Sequence, residues 1–118
     1  MSIKSGADLI AEAKARIREV TPVQAMNDLT PNLVFLDVRE RNEWNLGHLP
    51  GAIHIPRGSM ETKIEALIPR DKHVIIYCQS GNRSAFAAET LQEMGYEDVA
   101  SMSQGIIGWV DAGGEVDS

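Results

Sequence analysis

The sequence predicts an α/β fold in which a parallel sheet is covered by helices on both faces. Two short apolar runs, NLVFLDV at 32–38 and HVIIY at 73–77, have the composition of strands that are buried on both sides. Amphipathic helical patterns separate the strand-like runs, and proline or glycine marks most junctions. Strands that alternate with helices are joined by crossover connections, so neighbouring strands are expected to run parallel.

Each predicted element has a local reason. The pattern GADLIAEAKAR at 6–16 has an apolar helical face, and Thr21, Pro22 and Gln24 have the spacing of a capped helix start. Gly95 has the position of a glycine that ends a helix. The predicted strands lie at 17–20, 32–38, within 49–56, at 73–77 and at 98–102. The predicted helices lie at 6–16, 40–47, 59–68, 83–95 and 104–113, and one further helix begins at 21.

Length and charge restrict the classes of function. At 118 residues the chain is expected to form one domain, with a helical segment at 1–16 packed on a main domain at 17–118. The net charge of −6 argues against nucleic acid or an anionic membrane surface as the main partner. No apolar run approaches the roughly 18 residues of a membrane helix. The expected partners are therefore small molecules, with no nucleic acid and no membrane.

The beginning of the chain and its one cysteine favour a cytoplasmic location. The first 20 residues contain no unbroken apolar region of the kind found in secretory signals. A single cysteine forms no intramolecular disulfide, so an oxidising compartment would confer no benefit. The three histidines lack metal-ligand spacing with each other or with that cysteine, and no metal or other cofactor is expected.

The cysteine lies in a context that favours chemistry. Cys78 follows the predicted strand 73–77, and Gly81 and Arg83 follow it just before the next helix. Free N–H groups and the positive end of that helix would stabilise a thiolate, Gly81 would permit a tight loop, and Arg83 would add a positive charge. In open α/β sheets, ligands bind at this carboxyl end of the strands. The structural alternative is a cysteine that serves as a small core residue.

Three segments, LDVRERNEWNLGHLPGAIHIP, YCQSGNRS and GIIGWVDAG, resemble in order and spacing those of the rhodanese domain. The resemblance runs from about Ile17 to the end of the sequence and is strongest to single-domain rhodaneses. It implies a rhodanese-like fold with a five-stranded parallel sheet flanked by helices. It also implies a thiosulfate or persulfide sulfurtransferase in which Cys78 becomes a persulfide and passes the sulfur to cyanide or a thiol.

By the same resemblance, the active-site loop would bind the transferred sulfur with its backbone N–H groups. The loop residues are Gln79, Ser80, Gly81, Asn82, Arg83 and Ser84. No cofactor is implied, and the partners would be small sulfur donors and acceptors, with a sulfur-relay protein as an alternative.

Two positions depart from the family pattern. Gln79 stands where many rhodaneses have arginine or lysine, which weakens the case for thiosulfate as the natural donor. Gln104 stands where the last segment often has a second glycine, and we expect this change to alter a turn rather than the chemistry.

Two other functions stay open at the level of sequence. The domain could be a noncatalytic sulfur carrier or interaction module. A phosphatase or arsenate reductase is less favoured, because related phosphatases use Cys-x5-Arg, whereas Cys78 to Arg83 is Cys-x4-Arg. One residue fewer shortens the loop by up to about 3.5 Å and tightens it towards a single sulfur atom.

Three further residues are candidates for a supporting role. Asp37 and Arg39 follow a central strand and are expected near the mouth of the site, where an internal ion pair is the favoured interpretation. Arg57 follows another strand and could line the pocket, although a surface position is favoured. Trp44 and Trp109 are expected to serve in packing.

Overall fold

Five parallel strands form the sheet in the order β1-β5-β4-β2-β3, in a computed structural model that describes residues 3–118. The strands are β1 (Arg18–Val20), β2 (Leu33–Asp37), β3 (Ile53–His54), β4 (His73–Tyr77) and β5 (Val99–Met102). The helices are α1 (Gly6–Ala15), α2 (Pro22–Met26), α3 (Arg41–Leu46), α4 (Met60–Leu67), α5 (Asn82–Glu93) and α6 (Gly105–Asp111). The predicted fold class is confirmed.

The register of the sheet brings the carboxyl ends of β2 and β4 together. Asp37 pairs with Tyr77, and the N–H of Val38 donates to the carbonyl of Tyr77 at 3.1 Å. The residues that follow these two strands, Arg39 and Cys78, therefore leave the sheet at the same edge. This edge is where the sequence predicts the active site.

Alternate side chains of β4 support two separate cores. Ile76 and Cys78 belong to a buried cluster with α4 and α5 on one face of the sheet. Ile75 and Tyr77 belong to the cluster on the other face, where Trp109 of α6 also packs. Since all five residues of β4 are buried, helices cover the central strand on both sides.

Helix boundaries follow local backbone chemistry. Thr21 caps α2 as predicted, because its hydroxyl accepts from the N–H of Gln24 while the Gln24 side chain accepts from the N–H of Thr21. α5 begins one residue earlier than predicted, directly after Gly81 with φ 101°. Ser59 makes no side-chain capping hydrogen bond, because it ends a 3₁₀ turn, Arg57–Ser59, that leads into α4.

α1 packs along α5, where Arg16 and Glu89 form an ion pair at 3.0 Å. Met1 and Ser2, at the start of the predicted segment 1–16, lie outside the described residues. The division into segments 1–16 and 17–118 stays a prediction. Within 3–118, every helix is too short or too polar to cross a membrane.

The opposite edge of the sheet contains a histidine between two carboxylates. His73 Nε2 lies 2.6 Å from Asp28 Oδ2, and its Nδ1 lies 2.8 Å from Asp98 Oδ1. Hydrogen bonds from Thr30, with a smaller contribution from His73, lower the pKa of Asp28 to about 2. This cluster joins β4 to the segments before β2 and β5, at the end of the sheet remote from Cys78.

Candidate active site

The thiol of Cys78 is enclosed by the loop that follows it. Its Sγ accepts hydrogen bonds from the N–H of Gly81 at 3.1 Å and from the N–H of Ser84 at 3.4 Å. The side chain of Cys78 is buried, in the same core cluster as Ile76. Two inward amides at the start of α5 supply positive dipole ends where a sulfur anion would form.

The hydroxyl of Ser84 contacts the Cys78 sulfur and is hydrogen-bonded to a second hydroxyl, that of Ser101. The thiol of Cys78 donates to Ser84 Oγ at 3.4 Å, and Ser84 Oγ lies 2.8 Å from Ser101 Oγ on β5. Both serines are fully buried. Hydroxyl hydrogens rotate to suit their partners, so Ser84 can accept from the thiol or donate to the thiolate.

The N-terminus of α6 binds the backbone of Cys78 and of Gln79, the first residue of the active-site loop. The N–H of Ile106 donates to the carbonyl of Cys78 at 2.9 Å, and the N–H of Ile107 donates to the carbonyl of Gln79 at 3.3 Å. A Cβ atom at Gly105 would clash with the backbone of both residues, so the close approach requires glycine. Gln104, which stands where the family often has a second glycine, adopts the left-handed conformation with φ 65°. Whether the turn differs from that of relatives with glycine stays a prediction.

Arg83 is bound by a carboxylate that the sequence analysis did not select. Its two terminal nitrogens lie 2.8 and 2.9 Å from the two carboxylate oxygens of Glu43, which lies on α3. The hydrogen bond to Arg83 is the main cause that lowers the pKa of Glu43 to about 2. Glu43 therefore stays ionised near neutral pH, and the positive charge predicted at Arg83 is largely compensated.

The interpretation of Asp37 and Arg39 as an internal ion pair agrees with their placement. Both side chains are almost fully buried, and the guanidinium of Arg39 meets the carboxylate of Asp37 at 2.8–3.1 Å. Arg39 also donates to the carbonyl of Gly47 at 2.6 Å and to Gln79 Oε1 at 3.4 Å. This ion pair thereby positions the side chain that follows the cysteine.

Among residues 3–118, the other predicted residues make no hydrogen bond to the Cys78 sulfur. Arg57 contacts Glu61 and, at 3.1 Å, the hydroxyl of Thr90 in the second half of α5. Trp109 packs edge-to-face on Phe35, and Trp44 stacks with the rings of His48 and His54. In the active-site loop, Ser80 and Asn82 are exposed. Neither has a side-chain hydrogen bond among the described residues.

The arrangement suits a buried sulfur nucleophile that carries negative charge. Backbone N–H groups and one hydroxyl surround the sulfur, and they can stabilise a thiolate or, after sulfur transfer, a persulfide. Over the described range 3–118, no group of three or more histidine, cysteine or acidic side chains could hold a metal ion.

Comparisons with known proteins agree with this geometry. Residues 20–112 match the rhodanese-like domain family. The thiosulfate sulfurtransferase GlpE of Haemophilus influenzae is 34% identical over 95 residues, which cover 80% of this chain and 90% of that protein. YrkF of Bacillus subtilis, a candidate sulfur carrier protein, is 33% identical over 91% of this chain.

One solved structure resembles nearly the whole chain. It is a protein of unknown function from Rhodopseudomonas palustris, described as a possible tyrosine phosphatase, with 32% identity and a TM-score of 0.86. The match covers 99% of this chain and 98% of that one. By contrast, the chain spans only 58% of YrkF. The family match and these relatives show that the chain belongs to the rhodanese-like domain family.

Proposed function

We propose that this chain is a sulfurtransferase that moves sulfane sulfur from thiosulfate or a persulfide donor to a thiophilic acceptor through a persulfide on Cys78. The observation that carries the proposal is the enclosure of Sγ by the N–H groups of Gly81 and Ser84 and by the Ser84 hydroxyl. A group of donors aimed at a buried sulfur stabilises negative charge on that sulfur or on one attached to it. The sequence similarity to the thiosulfate sulfurtransferase GlpE supports the same function.

The chemistry consists of two displacements at sulfur. The Cys78 thiolate attacks the outer sulfur of thiosulfate, the S–S bond of the donor breaks, and sulfite leaves with the electron pair. Cyanide or a thiolate then attacks the outer sulfur of the persulfide and restores the Cys78 thiolate. This is ping-pong covalent catalysis. No proton has to be removed once the thiolate exists, so the mechanism needs no histidine beside the cysteine.

The test is direct loading of the protein. The reduced chain is incubated with thiosulfate or glutathione persulfide, and the peptide that contains Cys78 is analysed by mass spectrometry. The expected result is the added mass of one sulfur atom, which is then lost on addition of cyanide as thiocyanate forms. Cys78→Ser is the control, since serine has nearly the same size and forms no persulfide. The absence of any added sulfur with either donor would refute the proposal.

A noncatalytic sulfur carrier is the second candidate. It is favoured by the resemblance to the candidate carrier YrkF. A carrier would accept sulfur on Cys78 and release it rapidly only to a protein partner. Multiple turnovers of thiocyanate from cyanide would contradict the carrier function. A stable persulfide that neither cyanide nor glutathione removes would favour it.

Phosphatase activity fits less well, although the similar Rhodopseudomonas palustris protein is described as a possible tyrosine phosphatase. Both terminal nitrogens of Arg83 are engaged by Glu43, so its guanidinium is not free to bind phosphate oxygens in this arrangement. The six-residue loop from Cys78 to Arg83 also encloses the sulfur closely. Hydrolysis of p-nitrophenyl phosphate that depends on Cys78 would contradict this reasoning.

A further inference from the structure

A cavity of about 410 Å³ lies beside the active-site loop. It borders the loop at Gln79, the residue after the nucleophile. Much of its wall is apolar and solvent-facing, and it includes Leu46, Ile107, Val110 and Val116. These four side chains are each 45–85% exposed, and they come from three separate parts of the chain. Exposed apolar side chains gathered around one cavity mark a binding surface.

The wall of the cavity is held in place. Val116 lies in a segment whose neighbour Asp117 pairs with His48 through two backbone hydrogen bonds of 2.9 and 2.8 Å. The indole N–H of Trp109 donates to the carbonyl of Glu115 at 2.8 Å. The cavity is therefore formed before any ligand arrives, and little ordering would be needed on binding.

The charges around the cavity do not favour a dianion. Arg39 is matched by Asp37, and Glu43 is matched by Arg83. Asp111 also lines the cavity, and within residues 3–118 it has no ion-pair partner. Gln79 contributes no charge. A small dianion such as thiosulfate would thus meet one uncompensated negative charge and no uncompensated positive one.

We infer that this cavity binds the organic group of a sulfur donor and thereby selects that donor over thiosulfate. The donor has an apolar group and carries at most one negative charge. The inference rests on the proposed sulfurtransferase function. For an organic persulfide, the Cys78 thiolate attacks the outer sulfur and the S–S bond of the donor breaks. The carbon-bearing sulfur leaves as a thiolate with the electron pair, so no net oxidation occurs.

Three donors that present the same terminal sulfur test the selection: thiosulfate, methanethiosulfonate anion and benzenethiosulfonate anion. In each, sulfur passes to Cys78 and the leaving group departs with the electron pair, as sulfite or as the corresponding sulfinate. Single-turnover loading is followed by the mass of the Cys78 peptide. Each rate constant is divided by that of the same donor with free glutathione, which removes differences in intrinsic reactivity.

The expected order is benzenethiosulfonate, then methanethiosulfonate, then thiosulfate. Burial of much of a phenyl ring predicts a normalised preference of about tenfold or more over methyl. The test variant is Val110→Ser, and we expect it to reduce that preference about threefold. Val23→Ser is the matched control, because Val23 is 54% exposed and lies outside the cavity, while Val110 is 50% exposed. The control should leave the preference unchanged.

The outcomes separate this inference from the proposed function. Loading by all three donors at normalised rates that are equal, or that favour thiosulfate, would overturn the inference and leave the sulfurtransferase function standing. Equal effects of Val110→Ser and Val23→Ser would also overturn it, since the preference would then not depend on the cavity. Failure of all three donors to load Cys78, while glutathione persulfide loads it, would overturn the inference alone. Failure of glutathione persulfide as well would refute the sulfurtransferase function, and the inference with it.

Discussion

The hydroxyl of Ser101 contacts Ser84, which in turn contacts the Cys78 sulfur. Replacement of Ser101 by alanine tests whether this second hydroxyl contributes to the rate of sulfur loading. The two oxygens are 2.8 Å apart and fully buried, and Ser84 Oγ lies 3.4 Å from the Cys78 sulfur. In the thiolate, Ser84 can turn its hydrogen towards the sulfur while Ser101 donates to Ser84. Ser101 would then make Ser84 a better oriented donor.

The magnitudes follow from the kinds of hydrogen bond involved. A hydrogen bond to a charged group contributes about 1.5–3 kcal/mol, so Ser84→Ala is expected to slow sulfur loading about 10- to 100-fold. A neutral hydrogen bond contributes about 0.5–1.5 kcal/mol. Because Ser101 acts on the sulfur only through Ser84, we expect the low end of this range, and Ser101→Ala should slow loading about threefold. Because Ser101 acts through Ser84, the double variant should be no slower than Ser84→Ala alone.

Stability should follow a different pattern, which separates the chemical role from a structural one. Ser84→Ala leaves the buried hydroxyl of Ser101 without its partner and is expected to cost about 1–3 kcal/mol in the free energy of unfolding. The double variant removes both hydroxyls and should recover part of this loss. Rate constants for single-turnover sulfur loading are measured by quenching the reaction and analysing the Cys78 peptide by mass spectrometry. Free energies of unfolding are measured by urea titration. A threefold effect of Ser101→Ala that persists in the Ser84→Ala background would refute the reasoning.

Three further predictions concern the loop, its charges and the far edge of the sheet. Gly105→Ala should destabilise the fold by about 3 kcal/mol or more, seen as a lower midpoint of thermal unfolding, because its Cβ would clash with the loop backbone; an unchanged midpoint would contradict this. Glu43→Gln leaves the charge of Arg83 uncompensated and should raise kcat/KM for thiosulfate about three- to tenfold, whereas an unchanged value would show that the donor does not sense this pair. Asp28 has a pKa lowered chiefly by Thr30 to about 2, so its ionised form stabilises the fold above about pH 4, and that contribution is lost as the pH falls towards 2. The difference in unfolding free energy between the wild type and Asp28→Asn should therefore shrink by about 2 kcal/mol between pH 6 and pH 2.5 in urea titrations, and a constant difference would disprove the assignment.

The fold could be predicted from the sequence because its determinants are local. Apolar runs of five to seven residues, capped helix starts and glycine stops each act within a few positions of the chain. Thr21 and Gln24 show this, since the predicted capping box formed by residues three apart is present. The loop around Cys78 was predictable for the same reason, because strand, glycine and helix start are adjacent in sequence.

The partners of the loop were not predictable, because they come from distant parts of the chain. Glu43 and Arg83 are 40 positions apart, and Ser84 and Ser101 are 17 apart. Neither pair has a spacing that indicates contact. The first depends on how α3 packs near α5, and the second on how α5 packs against β5. The position of Arg57 beside Thr90 likewise depends on the path of the turn before α4. Such contacts need the tertiary structure.

The hydrogen bonds from α6 to the backbone after β4 fix the direction of two peptide dipoles. In a planar trans peptide the C=O and the N–H point in opposite directions. The carbonyls of Cys78 and Gln79 both point towards the N-terminus of α6, where they accept hydrogen bonds from the N–H groups of Ile106 and Ile107. The N–H vectors of Gln79 and Ser80 must therefore face away from α6. A helix that contributes no hydrogen bond to the sulfur thus fixes the polarity of the first two peptide units after the cysteine.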